Sequence, residues 1–157
     1  KLTAGDAILS VTGSALRPRE SDVTFKMAGG GGGIYADTGD AWEVFNTPLH
    51  LPQGTLVKSL RMYFYDADPA LSCYVWFTVY DLNGNIVTER FAMSPAASVG
   101  ASFADSAAIN HTIDNTQYSY VLNWRPTVLG STMQLLSLQL TYTPPPPATR
   151  AAVIPLY

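Results

Sequence analysis

The run Cys73-Tyr74-Val75-Trp76-Phe77-Thr78-Val79-Tyr80-Asp81-Leu82-Asn83-Gly84-Asn85-Ile86 carries the signal that decides the fold. In an extended chain Val75, Phe77 and Val79 point to one side, and Tyr74, Trp76, Tyr80 and Leu82 to the other. Both sides are apolar or aromatic, so this strand is expected to lie centrally in a sheet or to be covered twice. Asn83-Gly84 is the strongest short hairpin signal, and Ile86 to Met93 then returns antiparallel.

The same period of two recurs on either side. Leu56 to Tyr65 sets Leu60, Met62 and Phe64 against Ser59, Arg61, Tyr63 and Tyr65. Gln117 to Trp124 aligns Tyr118, Tyr120, Leu122 and Trp124, and Met133 to Tyr142 aligns Leu136, Leu138, Leu140 and Tyr142. Shorter candidates are Ala7 to Thr12, Gly33 to Ala36, Trp42 to Phe45 and Ile109 to Ile113. No window holds apolar residues at helical spacing for three turns, so about eight or nine strands and no long helix are expected. Turn residues separate them, among them Arg17-Pro18, Leu51-Pro52-Gln53-Gly54, Asp66 to Pro69 and Arg125-Pro126. The expected fold is all-β: a two-sheet antiparallel β-sandwich, jelly-roll-like, with extended N- and C-terminal segments. An immunoglobulin-like sandwich is the near alternative.

Composition narrows the function. The 157 residues hold only 13% charged side chains, nine of them Lys or Arg, and the net charge is −3. A nucleic-acid surface concentrates basic residues, so that partner is excluded. Charged residues, Gly or Pro interrupt every apolar run, so no membrane span is expected. The chain begins at Lys1 with no signal stretch before it, which fits a processed, exported protein located outside the cell or on its surface. Cys73 is the single cysteine, which leaves no intrachain disulfide and makes a small buried hydrophobe its simplest role.

A catalytic set is not legible. His50 and His111 stand alone without metal-type neighbours, no GxSxG elbow occurs, and the carboxylates show no paired spacing suited to glycoside hydrolysis. The expectation is no enzyme, no cofactor and no metal. Asp66 and Asp68 could supply two of the six to eight oxygens that calcium needs, but they read first as a turn. The glycine run Gly29 to Gly33 lacks the Lys and Ser/Thr of a phosphate-binding loop and is read as a loop or a close backbone approach.

Two binding roles remain. Few charges protect the sheet edges, and the chain ends in Pro144 to Pro147 followed by an apolar segment containing Val153, Ile154, Leu156 and Tyr157. Residues 144–157 reach at most roughly 43 Å as polyproline, slightly more than a domain diameter of roughly 40 Å. Residues 1–16 carry the small apolar face of Ala7, Leu9 and Val11, which can pair within the chain or be donated to a neighbour. The main expectation is therefore a secreted structural subunit of an extracellular filament or surface assembly, a homo-oligomer joined by strand donation. Its parts are residues 1–16 as an exchangeable strand, 17–143 as the sandwich and 144–157 as a proline-rich tail. The contact candidates are Ala7, Leu9, Val11, Val153, Ile154, Leu156 and Tyr157. The alternative is a lectin-like module that binds glycans by stacking sugar rings on Trp42 and Trp76, drawn from a pool that includes Tyr63, Tyr65, Tyr74 and Tyr80. Asn110, in Asn110-His111-Thr112, is the glycosylation candidate.

The blocks Phe45 to Gly54 with Lys58 to Tyr63, and Ile109 to Asn115 with Tyr118 to Trp124, resemble a family of uncharacterised secreted bacterial β-sandwich proteins over residues 14 to 143. That resemblance implies export and an all-β domain. It supplies no activity or site residues, and it makes the proline tail an addition beyond the last shared strand.

Overall fold

The computed structural model describes residues 5–96 and 100–147. Among these described residues twelve strands are formed: β1 Ala7–Thr12, β2 Arg17–Pro18, β3 Thr24–Ala28, β4 Gly33–Thr38, β5 Phe45–Pro48, β6 Leu56–Asp66, β7 Tyr74–Asp81, β8 Ile86–Met93, β9 Gly100–Asp105, β10 His111–Thr112, β11 Tyr118–Arg125 and β12 Met133–Thr143. They make two antiparallel sheets. One is five-stranded in the order β2-β5-β11-β7-β8. The other is seven-stranded, running β10-β6-β12-β4-β3 with β1 added beside β12 and β9 beside β6.

The core fills the space between the sheets. Val75, Phe77 and Val79 of β7 are fully buried, and they meet Leu60, Met62 and Phe64 of β6 and Leu135, Leu138 and Leu140 of β12. Trp124 is fully buried against Phe45, with ring centroids 5.2 Å apart, so it is a core residue. Cys73 is also inside, its thiol 3.8 Å from the Met62 sulfur, and burial pushes its pKa up to about 11. That is an inert thiol of the expected kind. Ser94 ties the two sheets together at one end: its hydroxyl donates to the buried Asp66 carboxylate at 2.5 Å and accepts from the Cys73 amide at 2.9 Å.

Alternation alone misplaces one strand face. In β12 the register against β6 shifts between Leu135 and Ser137, a bulge at Leu136 that carries the buried series from Met133 and Leu135 onto Leu138 and Leu140. Leu136 is therefore not in line with Leu138 as its spacing suggests. The bulge lies where two glycines approach: a Cβ on Gly33 would stand 2.9 Å from the Leu135 carbonyl oxygen, and one on Gly13 would overlap that oxygen outright. The last glycine of the five-residue run thus serves a close backbone contact, as expected of such a run, while Gly29 to Gly32 face open space.

The N-terminal strand is internal to its own chain. β1 pairs with β12 along its whole length, from Ala7 opposite Tyr142 to Thr12 opposite Ser137. Leu9 and Val11 pack on the core, and Asp6 holds the strand's start through Lys58 at 2.6 Å and Thr143 at 2.9 Å. Strand donation is corrected accordingly, because the groove that a donated strand would fill is occupied by the chain's own residues. The outer face here is uncharged, with Ile8 opposite Thr141, Ser10 opposite Gln139 and Thr12 opposite Ser137. The contact candidates Val153, Ile154, Leu156 and Tyr157 lie outside the described residues.

Candidate functional site

The outward face of the five-stranded sheet gathers the side chains that the core does not use. Strand register sets them in rows across the sheet, since residues directly opposite each other share a face. One row is Arg125 of β11, Tyr74 of β7 and Met93 of β8. The next is Asn46 of β5, Asn123, Trp76 and Phe91. The third holds Val121, Thr78 and Glu89. Tyr74 and Trp76 are half-buried with their rings stacked at 5.7 Å, and Phe91 is 54% exposed. β7 is central, as expected, but its second face is open rather than covered.

Trp42 joins this face from a loop, not from a strand. Its backbone amide donates to the Asp40 carboxylate at 2.8 Å in a turn between β4 and β5, and the residue is 53% exposed. The Arg125 guanidinium lies 4.9 Å from the Trp42 ring, 4.9 Å from Trp76 and 5.1 Å from Tyr74. The two tryptophans singled out from sequence, 34 positions apart, thus converge on one arginine.

Beneath the rings runs a polar chain. Thr78 donates its hydroxyl proton to Glu89 at 2.8 Å and accepts from the Asn123 side-chain amide at 2.8 Å. Because Thr78 has only one proton to give, the Asn123 amide must turn its nitrogen to Thr78. Its oxygen, in a residue only 5% exposed, is left without a partner. Arg125 Nε is likewise buried and unpartnered. At the far side the face runs into an open cleft of about 460 Å³, lined by Glu89, Arg90, Phe91, Met93 and Asp105. The loop bearing Trp42 is acidic: partial desolvation and the neighbouring Glu20, Asp22 and Asp40 raise the pKa of Glu43.

Flat rings beside buried donors and acceptors can hold a ligand with apolar faces and hydroxyl edges. The aromatic part was visible in sequence; Arg125 and Asn123 were missed. Arg125 falls at a turn signal before Pro126, although it shares the odd-numbered side of β11 with Asn123.

The other candidates lie elsewhere. Tyr63 and Tyr65 are on the outward face of the seven-stranded sheet, with Tyr63 donating to Gln139 at 3.2 Å. Asn110 is exposed, with φ of 50°, before β10. His50 is exposed in a loop; His111 packs among Phe77, Tyr118 and Tyr120, and desolvation lowers its pKa. Among the described residues no three acidic, His or Cys side chains gather to hold a metal. The Asp66 carboxylate accepts from Ser94 and the Asp68 amide, and Asp68 caps its own turn at the Ala70 and Leu71 amides, so both are spent on the fold. Among the described residues no helix is long and apolar enough to cross a membrane.

No family model matches the chain, and no curated protein matches it by sequence. Solved structures do. The C-terminal CBM6 module of a marine laminarinase from Zobellia galactanivorans aligns with a TM-score of 0.54 at 9% identity, covering 86% of this chain and 99% of that one. An isomalto-dextranase from Arthrobacter globiformis T6, solved with panose, aligns with a TM-score of 0.54 at 14% identity over 85% of this chain and 23% of that one. A carbohydrate-binding module, CBM36, in complex with calcium and xylotriose, aligns with a TM-score of 0.50 at 8% identity over 85% of this chain and 98% of that one. The shared feature is the fold, the expected two-sheet jelly-roll sandwich. The filament-subunit expectation is corrected by these matches together with the internal first strand: the fold is one found in carbohydrate-binding modules, and no strand is left to donate from the described N-terminal segment. Of the sequence resemblance to secreted bacterial proteins, the β-sandwich alone is supported.

Proposed function

We propose that this chain is a non-catalytic carbohydrate-binding module that takes its ligand on the outward face of the five-stranded sheet. The observation that carries the reading is the convergence of Trp42 and Trp76 on Arg125 at 4.9 Å each, on a face left open to solvent. Sugar rings stack on the exposed aromatic faces, and their hydroxyls meet the polar atoms beside them. The fold shared with a module solved with xylotriose supports the same reading. Such a module works where polysaccharides are, outside the cell or on its surface.

The test is a glycan array probed with the full chain, followed by calorimetric titration of each hit. Binding is expected and is weakened strongly in Trp76→Ala and less in Trp42→Ala, with both variants still unfolding in a cooperative transition. Absence of any bound glycan, or affinity unchanged in both folded variants, would overturn the reading.

A further inference from the structure

The six other cationic side chains of the described residues each hold an oxygen. Arg19, Lys26, Lys58 and Arg61 pair with Glu20, Asp37, Asp6 and Asp105, Arg17 donates to the Ser14 and Leu16 carbonyls, and Arg90 donates to the Glu89 carbonyl and Thr88. The Arg125 guanidinium has neither an ion pair nor a hydrogen bond among the described residues. Its charge is balanced only by the faces of Trp42, Tyr74 and Trp76. A guanidinium cannot lose its proton, and its donors form a planar fork that matches a carboxylate. Rings on several sides hold that fork in place, which lowers the entropy lost when it engages an anion.

We infer that Arg125 recognises the carboxylate of an acidic sugar, so that the saccharide bound on this face carries a uronic acid. The inference rests on the carbohydrate-binding reading and names its ligand class. A second observation points the same way: Asn123, two residues along β11 on the same face, keeps a buried acceptor oxygen that a neighbouring sugar hydroxyl can satisfy. The surroundings also limit the charge of the ligand. The Trp42 loop carries Asp40 and Glu43, partial desolvation together with Asp40 and with Glu20 and Asp22 of the β2–β3 turn raises the pKa of Glu43, and Glu89 stands two rows away. Arg125 is therefore a cation without an acidic partner, with carboxylates at the edge of its face. A saccharide with one carboxylate among neutral sugars fits it, whereas a polyuronate is repelled.

The experiment titrates the full chain calorimetrically with xylo-oligosaccharide bearing one glucuronate, trigalacturonate and hyaluronan tetrasaccharide, each beside its methyl ester, and with a panel of neutral oligosaccharides. At least one acid is expected to bind about tenfold or more tightly than its own ester, the sparsely charged probe most tightly of the three. That preference collapses in Arg125→Gln, persists in Arg61→Gln, and shrinks as salt is raised. Arg125→Lys keeps the charge without the fork and falls between the two; it also serves if Arg125→Gln does not fold. Binding of neutral sugars or esters with no acid favoured over its ester overturns the acidic-ligand inference and leaves the carbohydrate reading standing. No binding of any saccharide overturns both.

Discussion

Two arginines lie among aromatic rings on the two outward faces of this sandwich. Arg61, on β6, has its guanidinium 4.2 Å from the Phe103 ring and 6.0 Å from Tyr63, and it holds Asp105 with two bonds of 2.6 and 2.8 Å. Arg125, on β11, has three rings about it and no acid. Both are half-buried strand residues directly opposite a residue of a neighbouring strand. What differs is the cross-strand partner: Arg61 faces Asp105, whereas Arg125 faces Tyr74. The first cluster is electrostatically complete and fastens β9 to β6. The second leaves a cation and a buried acceptor without partners, which is what the proposed ligand would complete.

The sharpest way to break this contrast is to remove a ring from each cluster. Trp76→Ala should weaken glycan binding by about 30-fold or more, since a buried or half-buried Trp anchor is typically worth at least about 2 kcal/mol. Tyr63→Ala should leave the affinity within about twofold by the same titration. Equal losses in both variants would show that the open face is not the binding face.

A smaller effect separates the arginines by stability. Arg61→Gln removes a bidentate pair whose side chains are 37% and 49% exposed, so the expected loss is only about 0.5 kcal/mol in urea denaturation. Arg61→Gln should therefore act on stability and not on binding, with Arg125→Gln acting on binding. If Arg125→Gln proved the more destabilising by several kcal/mol, the Arg125 cluster would be a structural one.

The smallest effect is in the acid limb. The side-chain bonds from Arg61 lower the pKa of Asp105 below the ordinary carboxylate value. A lowered folded pKa means that the pair contributes fully at pH above the unfolded carboxylate value, and that this contribution is lost as pH falls through the lower folded value. Melting temperatures measured from about pH 6 to pH 2 should fall less steeply in Asp105→Asn than in the wild type. An unchanged slope would show that the pair is fully screened by solvent.

The β7–β8 hairpin at the edge of the five-stranded sheet shows how far local chemistry reaches. Asp81 accepts from the Asn83 and Asn85 amides and Gly84 takes φ of 83°, so Asn-Gly turns the chain where its residue types require. The alternation on β6 and β7 likewise names the buried residues correctly, because the period of a strand is a property of the backbone. Thr24–Ala28 and Gly100–Asp105 were harder to read: their alternation is weak, and β9 is a strand only because β6 is there to pair with it. Arg17–Pro18 reads as a turn and instead pairs with β5 at the sheet edge, where proline's missing donor costs no ladder bond.

What the amino-acid order determined by itself was the class of structure and the inner and outer sides of most strands, and it offered the two tryptophans as stacking candidates. It did so because side-chain period and turn preference are local. The meeting of Trp42 with Trp76, the bare charge of Arg125 between them, and the pairing of the first strand with β12 were decided by tertiary structure. Each depends on which strands become neighbours, and neighbours such as Trp42 and Arg125, 83 positions apart, are selected by how the two sheets bury their apolar faces, not by anything either residue carries.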